Sequence, residues 1–263
     1  MKKSFQKRII NIFVTKFYAV QSVIAVDIGN TFVKVAVFKG EKMLEQHSFS
    51  LEESRSFFEK LLQKYPEIRR GILSSVVEIP AWILVVFSSI HLHILSYESK
   101  LPFEIAYHTP QTLGCDRIAL VAFASEQFPK KNVLVIDMGT CITYDFLQAD
   151  NVYVGGSISP GIQMRLKALN TFTAKLPLVK PSENPELIGN STTTSIQSGV
   201  INGVLAELKG IIAAYNAIYE DLTVFISGGD NKYFDKQLKN SIFATANPVL
   251  EGLRVILNYN EIQ

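Results

Sequence analysis

The sequence contains little of what a disulfide scaffold or a metal-binding domain needs. It has only two cysteines, Cys115 and Cys141, and four histidines. Two cysteines are too few for a disulfide framework, and neither lies in a CxxC or Cys/His spacing typical of zinc. His91 and His93 share a face of a predicted strand, but no third ligand accompanies them. We therefore expect a reducing, cytoplasmic compartment.

Net positive charge is also absent outside the N-terminus. The net charge is +2, but residues 1–21 carry five basic residues and no acidic one, which leaves the rest of the chain at −3. A mildly acidic body without a basic stripe argues against nucleic-acid binding, so we expect a small-molecule partner. The basic residues of the extension are Lys2, Lys3, Lys7, Arg8 and Lys16.

No apolar run is typical of a membrane span. Residues 79–97 lack charge, but Pro80 opens the run and polar residues at 88–93 interrupt it, so we predict a buried helix over 80–88 and then a strand. In residues 1–21, Lys16 interrupts the apolar part and no small-residue cleavage site follows. We expect a non-essential extension or a start codon assigned too early, and no membrane association.

Two segments repeat one pattern. "VIAVDIGNTFVKVAVF" (23–38) and "VLVIDMGTCITYDFL" (133–147) each give an apolar strand, an aspartate, a turn with glycine and threonine, and an outgoing strand. Asp27 and Asp137 lie 110 residues apart, which indicates a duplicated domain. The predicted fold is α/β, with the extension 1–21, a first domain at 22–130 and a second at 131–263, the two facing a central cleft.

Hydrophobic periodicity and turn residues give the remaining elements. The predicted strands are 23–27, 32–38, 42–49, 71–77, 91–96, 133–137, 152–156 and 223–226. The predicted helices are one capped by Ser50 and ended by Pro66, then 80–88, 113–127, one from about 161, 192–220, about 230–240 and 248–259.

The first repeated turn has the chemistry of a phosphate-binding loop. Gly29 permits a tight turn whose backbone N–H groups, with Asn30 and Thr31, could bind phosphate. Asp27 could hold hydrated Mg²⁺ and Lys34 could reach a phosphate. An ordinary hairpin turn explains the glycine and asparagine equally well.

The second turn, Asp137-Met138-Gly139-Thr140, repeats the pattern of the first. Two such turns, each after a short apolar run, are hard to explain as coincidence. Two such loops could clamp a nucleotide triphosphate and its cations. Asp145, in the outgoing strand, is either a further polar group or a surface position. Two glycine-rich segments, 153–164 and 224–234, are either further ligand loops, the second for adenine or ribose, or ordinary loops.

The segment "GCDR" (114–117) begins a predicted helix. A carboxylate beside a guanidinium stays ionised and is held in orientation, which suits a substrate site. The alternative is an ion pair at the start of a helix.

These motifs occur in one order that resembles the type III pantothenate kinases. The resemblance covers about residues 22–260 and is carried by Asp-x-Gly-Asn-Thr, Asp-x-Gly-Thr, Gly-Gly-x-Ile-x-Pro-Gly and a late Gly-Gly-Asp, and most specifically by "YHTPQTLGCDRIALVAF" (107–123). That family belongs to the acetate and sugar kinase, Hsp70 and actin superfamily. The resemblance thus implies two duplicated actin-like (ribonuclease H-like) domains.

The resemblance also implies an activity, which is ATP-dependent phosphorylation of pantothenate, the first step toward coenzyme A. Asp116 matches the family's catalytic base, and Asp137 its ligand for a monovalent cation, K⁺ or NH₄⁺. ATP would bind with Mg²⁺, and the family is dimeric. The residues that match substrate contacts are Tyr107, Gly114, Cys115, Asp116, Arg117 and Thr192, with a register at 192–194 that is uncertain by one. Those that match ATP contacts are Asp27, Ile28, Gly29, Asn30, Thr31, Phe32, Val33, Lys34 and Thr140.

Two rival functions remain open at this point. One is another small-hydroxyl kinase on the same scaffold, and the other is a non-catalytic regulator that kept the fold. The chain also departs from the family at Cys141, where alanine is frequent. Cys115 fills the variable position of Gly-x-Asp-Arg. Both residues are small, and a thiol near the site could make the enzyme sensitive to alkylation.

Overall fold

The computed structural model describes residues 21–238, 241–244 and 247–261. Except for Gln21, the basic extension predicted at 1–21 lies outside the described residues. The chain divides into two compact units. The first contains residues up to Glu104, then His108–Glu126 and the C-terminal segment from Pro248, and the second contains Ile105–Tyr107 and Gln127–Asn247.

The first unit is built on a five-stranded sheet of order β3-β2-β1-β4-β5. Strands β1 to β3 are antiparallel neighbours, while β4 and β5 run parallel to β1. The central strand β1 is buried along its whole length, as its continuous apolar run predicts. The strands are β1 (Ser22–Ile28), β2 (Val33–Lys39), β3 (Lys42–Phe49), β4 (Arg70–Ser75) and β5 (His91–Ile94).

The helices of this unit follow local sequence signals. Helix α1 begins after Ser50, whose backbone N–H donates to Glu53 at 3.3 Å in the predicted capping box, and its residues Phe58 and Leu61 are buried. Arg254 is buried and pairs with Glu126 at 2.5 Å. The helices are α1 (Leu51–Lys64), α2 (Ala81–Val86), α3 (Cys115–Gln127) and α6 (Pro248–Glu261), with a 3₁₀ turn at Pro110–Thr112.

The second unit repeats the strand order of the first. Its sheet has the order β11-β10-β7-β8-β9-β6, in which β7 to β9 are antiparallel neighbours and β10 and β11 run parallel to β7. Strands β7, β8, β9, β10 and β11 thus correspond to β1 to β5, and the duplication inferred from the two aspartates is confirmed. The strands are β6 (Glu104–Ile105), β7 (Val133–Met138), β8 (Cys141–Leu147), β9 (Val152–Pro160), β10 (Thr223–Ser227) and β11 (Ile242–Phe243).

Two helices of the second unit, α4 (Ile162–Thr171) and α5 (Thr192–Asn216), pack on this sheet around one apolar core. Glu207 of α5 accepts hydrogen bonds from Tyr144 at 2.8 Å and Ser159 at 2.5 Å, and it pairs with Arg165 of α4. Burial opposes ionisation of Glu207, but these donors outweigh it and lower its pKa. The cluster therefore holds α4, α5 and the sheet together through an ionised carboxylate.

Three predicted elements differ from those observed. The prediction of a helix over 230–240 is wrong. The described residues of this segment, 230–238, contain only a 3₁₀ turn at Asn231–Tyr233 followed by turns. Strand β9 runs to Pro160 rather than ending at 156, since its pairing with β8 carries it through the glycines. The helix expected to be buried over 80–88 is exposed on one side, where Val85 is 66% accessible.

Within the residues that the structure describes, no helix combines the length and the apolar character needed to cross a membrane. The charge-free run at 79–97 instead forms α2 and β5, which is the helix followed by a strand that its polar interruption predicts.

Candidate active site

The first repeated loop joins β1 to β2 as a hairpin. Asp27 is the last residue but one of β1, is only 4% exposed, and accepts a hydrogen bond from Ser74 of β4 at 2.6 Å. The Gly29 N–H donates to the Phe32 carbonyl at 3.0 Å and closes the turn, while Asn30 is exposed at its tip. The segment is thus a hairpin turn in form, and it presents polar groups at its tip beside a buried carboxylate.

The predicted substrate segment forms the start of α3 in the same unit. The backbone N–H of Arg117 donates to Asp116 Oδ1 at 2.8 Å, which fixes the carboxylate at the helix N-terminus. Arg117 itself is buried, and Gly114 precedes the helix. A Cβ built on Gly114 would lie 2.5 Å from Asp116 Oδ1. The glycine therefore leaves room for the carboxylate.

Cys115 links this helix start to the first loop. Burial raises the pKa of its thiol, and the charges of Asp116 and Asp27 raise it further. The structure thus brings Asp27 and Asp116, which are distant in sequence, close enough to act on one group. Because the thiolate is the reactive form, the raised pKa argues against the sensitivity of Cys115 to alkylation that the sequence suggested.

The second repeated loop lies in the other unit at the ends of β7 and β10. Asp137 accepts a hydrogen bond from Ser227 of β10. A Cβ on Gly161 would lie 2.3 Å from the carbonyl oxygen of Gly139, and one on Gly228 would lie 2.3 Å from that of Met138. Gly228 also has φ +91°, a conformation that favours glycine.

Three loops predicted from glycine patterns therefore meet around Asp137. They are the hairpin turn with exposed Thr140, the N-terminus of α4 and the turn after β10. These three loops offer backbone N–H groups and a carboxylate, which suit a phosphate and its cation.

Tyr107 lies elsewhere in the second unit, on a platform that the sequence did not reveal. Its ring stacks on that of Tyr153, with centroids 6.3 Å apart, and touches the space that a side chain at Gly155 would fill. Tyr153 donates to Asp145 at 2.6 Å. Asp145 is fully buried, so the interpretation as a surface position is wrong and the interpretation as a polar group holds.

The threonine-rich segment begins α5, where Ser191 is the N-cap. The Thr194 hydroxyl oxygen accepts hydrogen bonds from the backbone N–H groups of Asn190 and Ser191, each at 3.0 Å. Thr192 and Thr193 are exposed in the first turn of the helix. Because the Thr194 hydroxyl takes part in the capping box with Ser191, Thr192 and Thr193 are better placed to meet a ligand.

The donor set limits how a metal could bind. Among the described residues no group of three or more histidine, cysteine, aspartate or glutamate side chains is arranged to hold an ion. Mg²⁺ usually binds through one or two carboxylates together with substrate phosphates, and Asp27 and Asp137 offer carboxylates of this kind. The residues therefore fit a cation that arrives with a nucleotide better than a resident metal centre.

Two units of equal strand order, each with an aspartate at the end of its central strand beside a hairpin loop, define the actin-like fold class. Solved structures agree on the fold. A protein described as a Baf family transcriptional activator from Campylobacter jejuni matches with a TM-score of 0.61 at 19% identity, over 90% of this chain and 98% of that one. A protein described as a 2-dehydro-3-deoxygalactonokinase from Sinorhizobium meliloti matches with a TM-score of 0.55 at 13% identity, over 89% of this chain and 95% of that one.

The sequence comparisons define the family within that class. The family profile described as type III pantothenate kinase matches residues 23–214. A type III pantothenate kinase of Christiangramia forsetii is 50% identical over 91% of this chain and 99% of its own length, and one of Bacteroides fragilis is 43% identical over 89% and 97%. The chain belongs to the type III pantothenate kinases.

Proposed function

We propose that this kinase transfers the γ-phosphoryl group of ATP to the primary hydroxyl of pantothenate, with Asp116 as the general base. The carboxylate of Asp116 takes the hydroxyl proton as that oxygen attacks the γ-phosphorus in line, and ADP leaves. The product is 4′-phosphopantothenate, at the first step of coenzyme A biosynthesis. The observation that carries the proposal is the fixed carboxylate at the start of α3, beside Asp27 and inside the family's most specific motif.

The two repeated loops are proposed to bind ATP. Residues 27–34 would contact the phosphates through the turn, and Thr140 would do so from the second loop. Mg²⁺ would supply charge neutralisation at the transferred phosphoryl group when bound with the nucleotide, with Asp27 facing it. Asp137 is proposed as the ligand for K⁺ or NH₄⁺, which a carboxylate and nearby backbone carbonyls suit.

Several residues are proposed to contact pantothenate along its length. Arg117 suits its carboxylate or the moving phosphoryl group, because guanidinium donors match planar anions. Gly114 and Cys115 line the start of α3 beside the base. Tyr107 would pack on the apolar part of the substrate, supported by its stack on Tyr153, and Thr192 would donate its exposed hydroxyl.

Replacing Gly114 by alanine is expected to lower kcat far more than stability. The new methyl would meet Asp116 Oδ1, a side-chain atom that can move away, and a base displaced by about 1 Å can lose about 100-fold in rate. Steady-state kinetics and a thermal midpoint measure the two effects. Gly203→Ala is the matched control, because nothing lies within 4 Å of its Cβ, and it should leave kcat unchanged. Equal kcat values for the two variants would contradict the proposed position of the base.

Substrate and cation are tested together by ADP release. The purified enzyme is given ATP and Mg²⁺ with pantothenate or with each of a panel of sugars, in buffers containing K⁺, NH₄⁺ or only Na⁺. We expect ADP release that needs pantothenate and either K⁺ or NH₄⁺. ADP release with a sugar alone would favour the rival small-hydroxyl kinase, and no turnover with any acceptor would favour a non-catalytic regulator. Full activity in Na⁺ would contradict the cation site at Asp137.

A homodimer is proposed from apolar surface in the second unit. Phe172 and Ile188 are 85% and 84% exposed, and a groove of about 550 Å³ beside Phe172 is lined mainly by apolar groups of α4 and α5. Exposed apolar surface beside a groove suits contact with a partner, and the family is dimeric. Light scattering on the purified chain should give twice the mass of one chain, and a monomer at micromolar concentration would contradict the proposal.

We also propose that the protein is located in the cytoplasm. Both cysteines are free, which is the rule in reducing compartments.

A further inference from the structure

Each unit holds its loop aspartate with a serine that lies outside the repeated motifs. In the first unit Asp27 and Ser74 are register partners on the parallel strands β1 and β4. The Ser74 hydroxyl donates to Asp27 Oδ1 at 2.6 Å, and both residues are buried.

The second unit repeats this pair at the same place. Asp137 and Ser227 are register partners on the parallel strands β7 and β10, and the Ser227 hydroxyl donates to Asp137 Oδ1. Ser227 is buried. The corresponding strands therefore carry not only the same aspartate but also the same donor, although the serines are 47 and 90 residues from their aspartates in sequence.

The hydrogen bond has a direct consequence for the carboxylate. The terminal torsion of an aspartate is broad and nearly two-fold, so burial alone does not fix which oxygen faces the loop. With Oδ1 of Asp137 held by Ser227, Oδ2 lies 3.7 Å from the position of a Cβ on Gly139, which is toward the loop. The serine thus selects the oxygen that faces the hairpin turn.

We propose that Ser74 and Ser227 are paired positioning residues, which orient Asp27 and Asp137 toward the phosphates of ATP and the accompanying cations. This inference rests on the proposed function, in which the two loops bind ATP. A purely structural role for two buried serines is the alternative. It predicts lost stability on substitution without a selective effect on the nucleotide.

The test compares Ser74→Ala and Ser227→Ala with the matching threonine variants, which keep the hydroxyl. Because hydrogen bonds to charged groups are among the stronger ones, each alanine variant should weaken binding of ATP and Mg²⁺ about 10-fold and raise the KM for ATP in proportion. The KM for pantothenate should stay within about 2-fold, since that substrate is bound by other residues. Threonine should restore ATP binding. Binding is measured by titration calorimetry without pantothenate, so it does not depend on turnover.

Two buried serines whose hydroxyls bond to backbone carbonyls serve as controls. Ser54 donates to Leu51 at 2.6 Å in the first unit, and Ser198 donates to Leu187 at 2.7 Å in the second. Ser54→Ala and Ser198→Ala should lower the thermal midpoint without changing ATP binding. Where an alanine variant does not fold, Ser74→Cys or Ser227→Cys replaces it, because a thiol has similar size and is a weak donor.

Three results would overturn the inference. They are unchanged ATP binding in the folded alanine or cysteine variants, loss of ATP binding in the folded threonine variants, or equal effects on the KM of ATP and pantothenate. If wild-type enzyme binds ATP but does not phosphorylate pantothenate, the proposed substrate fails while the calorimetric comparison still decides the role of the serines.

Discussion

Asp116→Asn is expected to abolish turnover while the protein stays folded. Asparagine keeps the size of the side chain and an oxygen that can accept the Arg117 N–H, but it cannot take a proton. General base catalysis contributes about 10²- to 10⁴-fold, so kcat should fall by at least about 100-fold. The KM for ATP and the affinity for pantothenate should change by only a few-fold. Stopped or coupled ADP assays and a thermal midpoint measure both parts.

Asp150→Asn is the control for this variant. Asp150 is an exposed aspartate in the turn between β8 and β9, outside every segment proposed to bind substrate. It should keep wild-type kcat. If Asp116→Asn turned over at the wild-type rate, Asp116 would not be the base. If it bound pantothenate much more weakly with little loss of kcat, its role would be in binding.

Gly252→Ala is expected to give the largest loss of stability among the alanine variants considered. Gly252 of α6 packs directly on α3, and a Cβ there would lie 1.7 Å from the carbonyl oxygen of Ala119. Backbone atoms cannot rotate away as a side chain can, so the two helices must separate. Overpacking typically costs about 1–3 kcal/mol in unfolding free energy, and a clash with backbone places this variant at the upper end of that range. Urea denaturation, followed by fluorescence or circular dichroism, measures it.

A second helical glycine supplies the comparison. Gly210, in α5, has nothing within 4 Å of a built Cβ. Gly210→Ala should therefore stabilise the protein by about 0.5–1 kcal/mol, because alanine is the better helix former. A Gly252→Ala variant as stable as wild type would show that α6 does not pack on α3 as described.

The features that could be predicted from the sequence are those encoded over a short stretch. Each hairpin with its aspartate follows from an apolar run, a glycine turn and a second apolar run, and Ser50 with Glu53 marks the start of α1. The duplication followed because the same short pattern occurs twice. The strand order 3-2-1-4-5 then repeats in both units.

The features that could not be predicted depend on partners distant in sequence. Ser74 and Ser227 meet their aspartates only because parallel strands bring them into register, and no local pattern pairs either serine with its aspartate. The same holds for Asp145, whose partner Tyr153 lies on the neighbouring strand β9. A single sequence contains both residues but not their pairing.

The wrong prediction of a helix over 230–240 has a physical cause. Phe234 and Leu238 are both buried, and their spacing of four residues imitates the period of a helix. The Asp230 N–H, however, donates to the Met138 carbonyl at 3.0 Å, which ties the segment to the second hairpin. Tyr233 and Phe234 then bond to carbonyls three residues back, as in a 3₁₀ turn. A contact with another strand thus overrode the local pattern.

The most direct test of the whole account is identification of the product. The purified chain is incubated with ATP, Mg²⁺, K⁺ and pantothenate, and the mixture is analysed by mass spectrometry. We expect pantothenate to gain one phosphoryl group on its primary hydroxyl, in equal amount to the ADP formed, and Asp116→Asn to form both products at least about 100-fold more slowly. ADP formation without phosphorylated pantothenate, or the same yield from Asp116→Asn, would contradict the account.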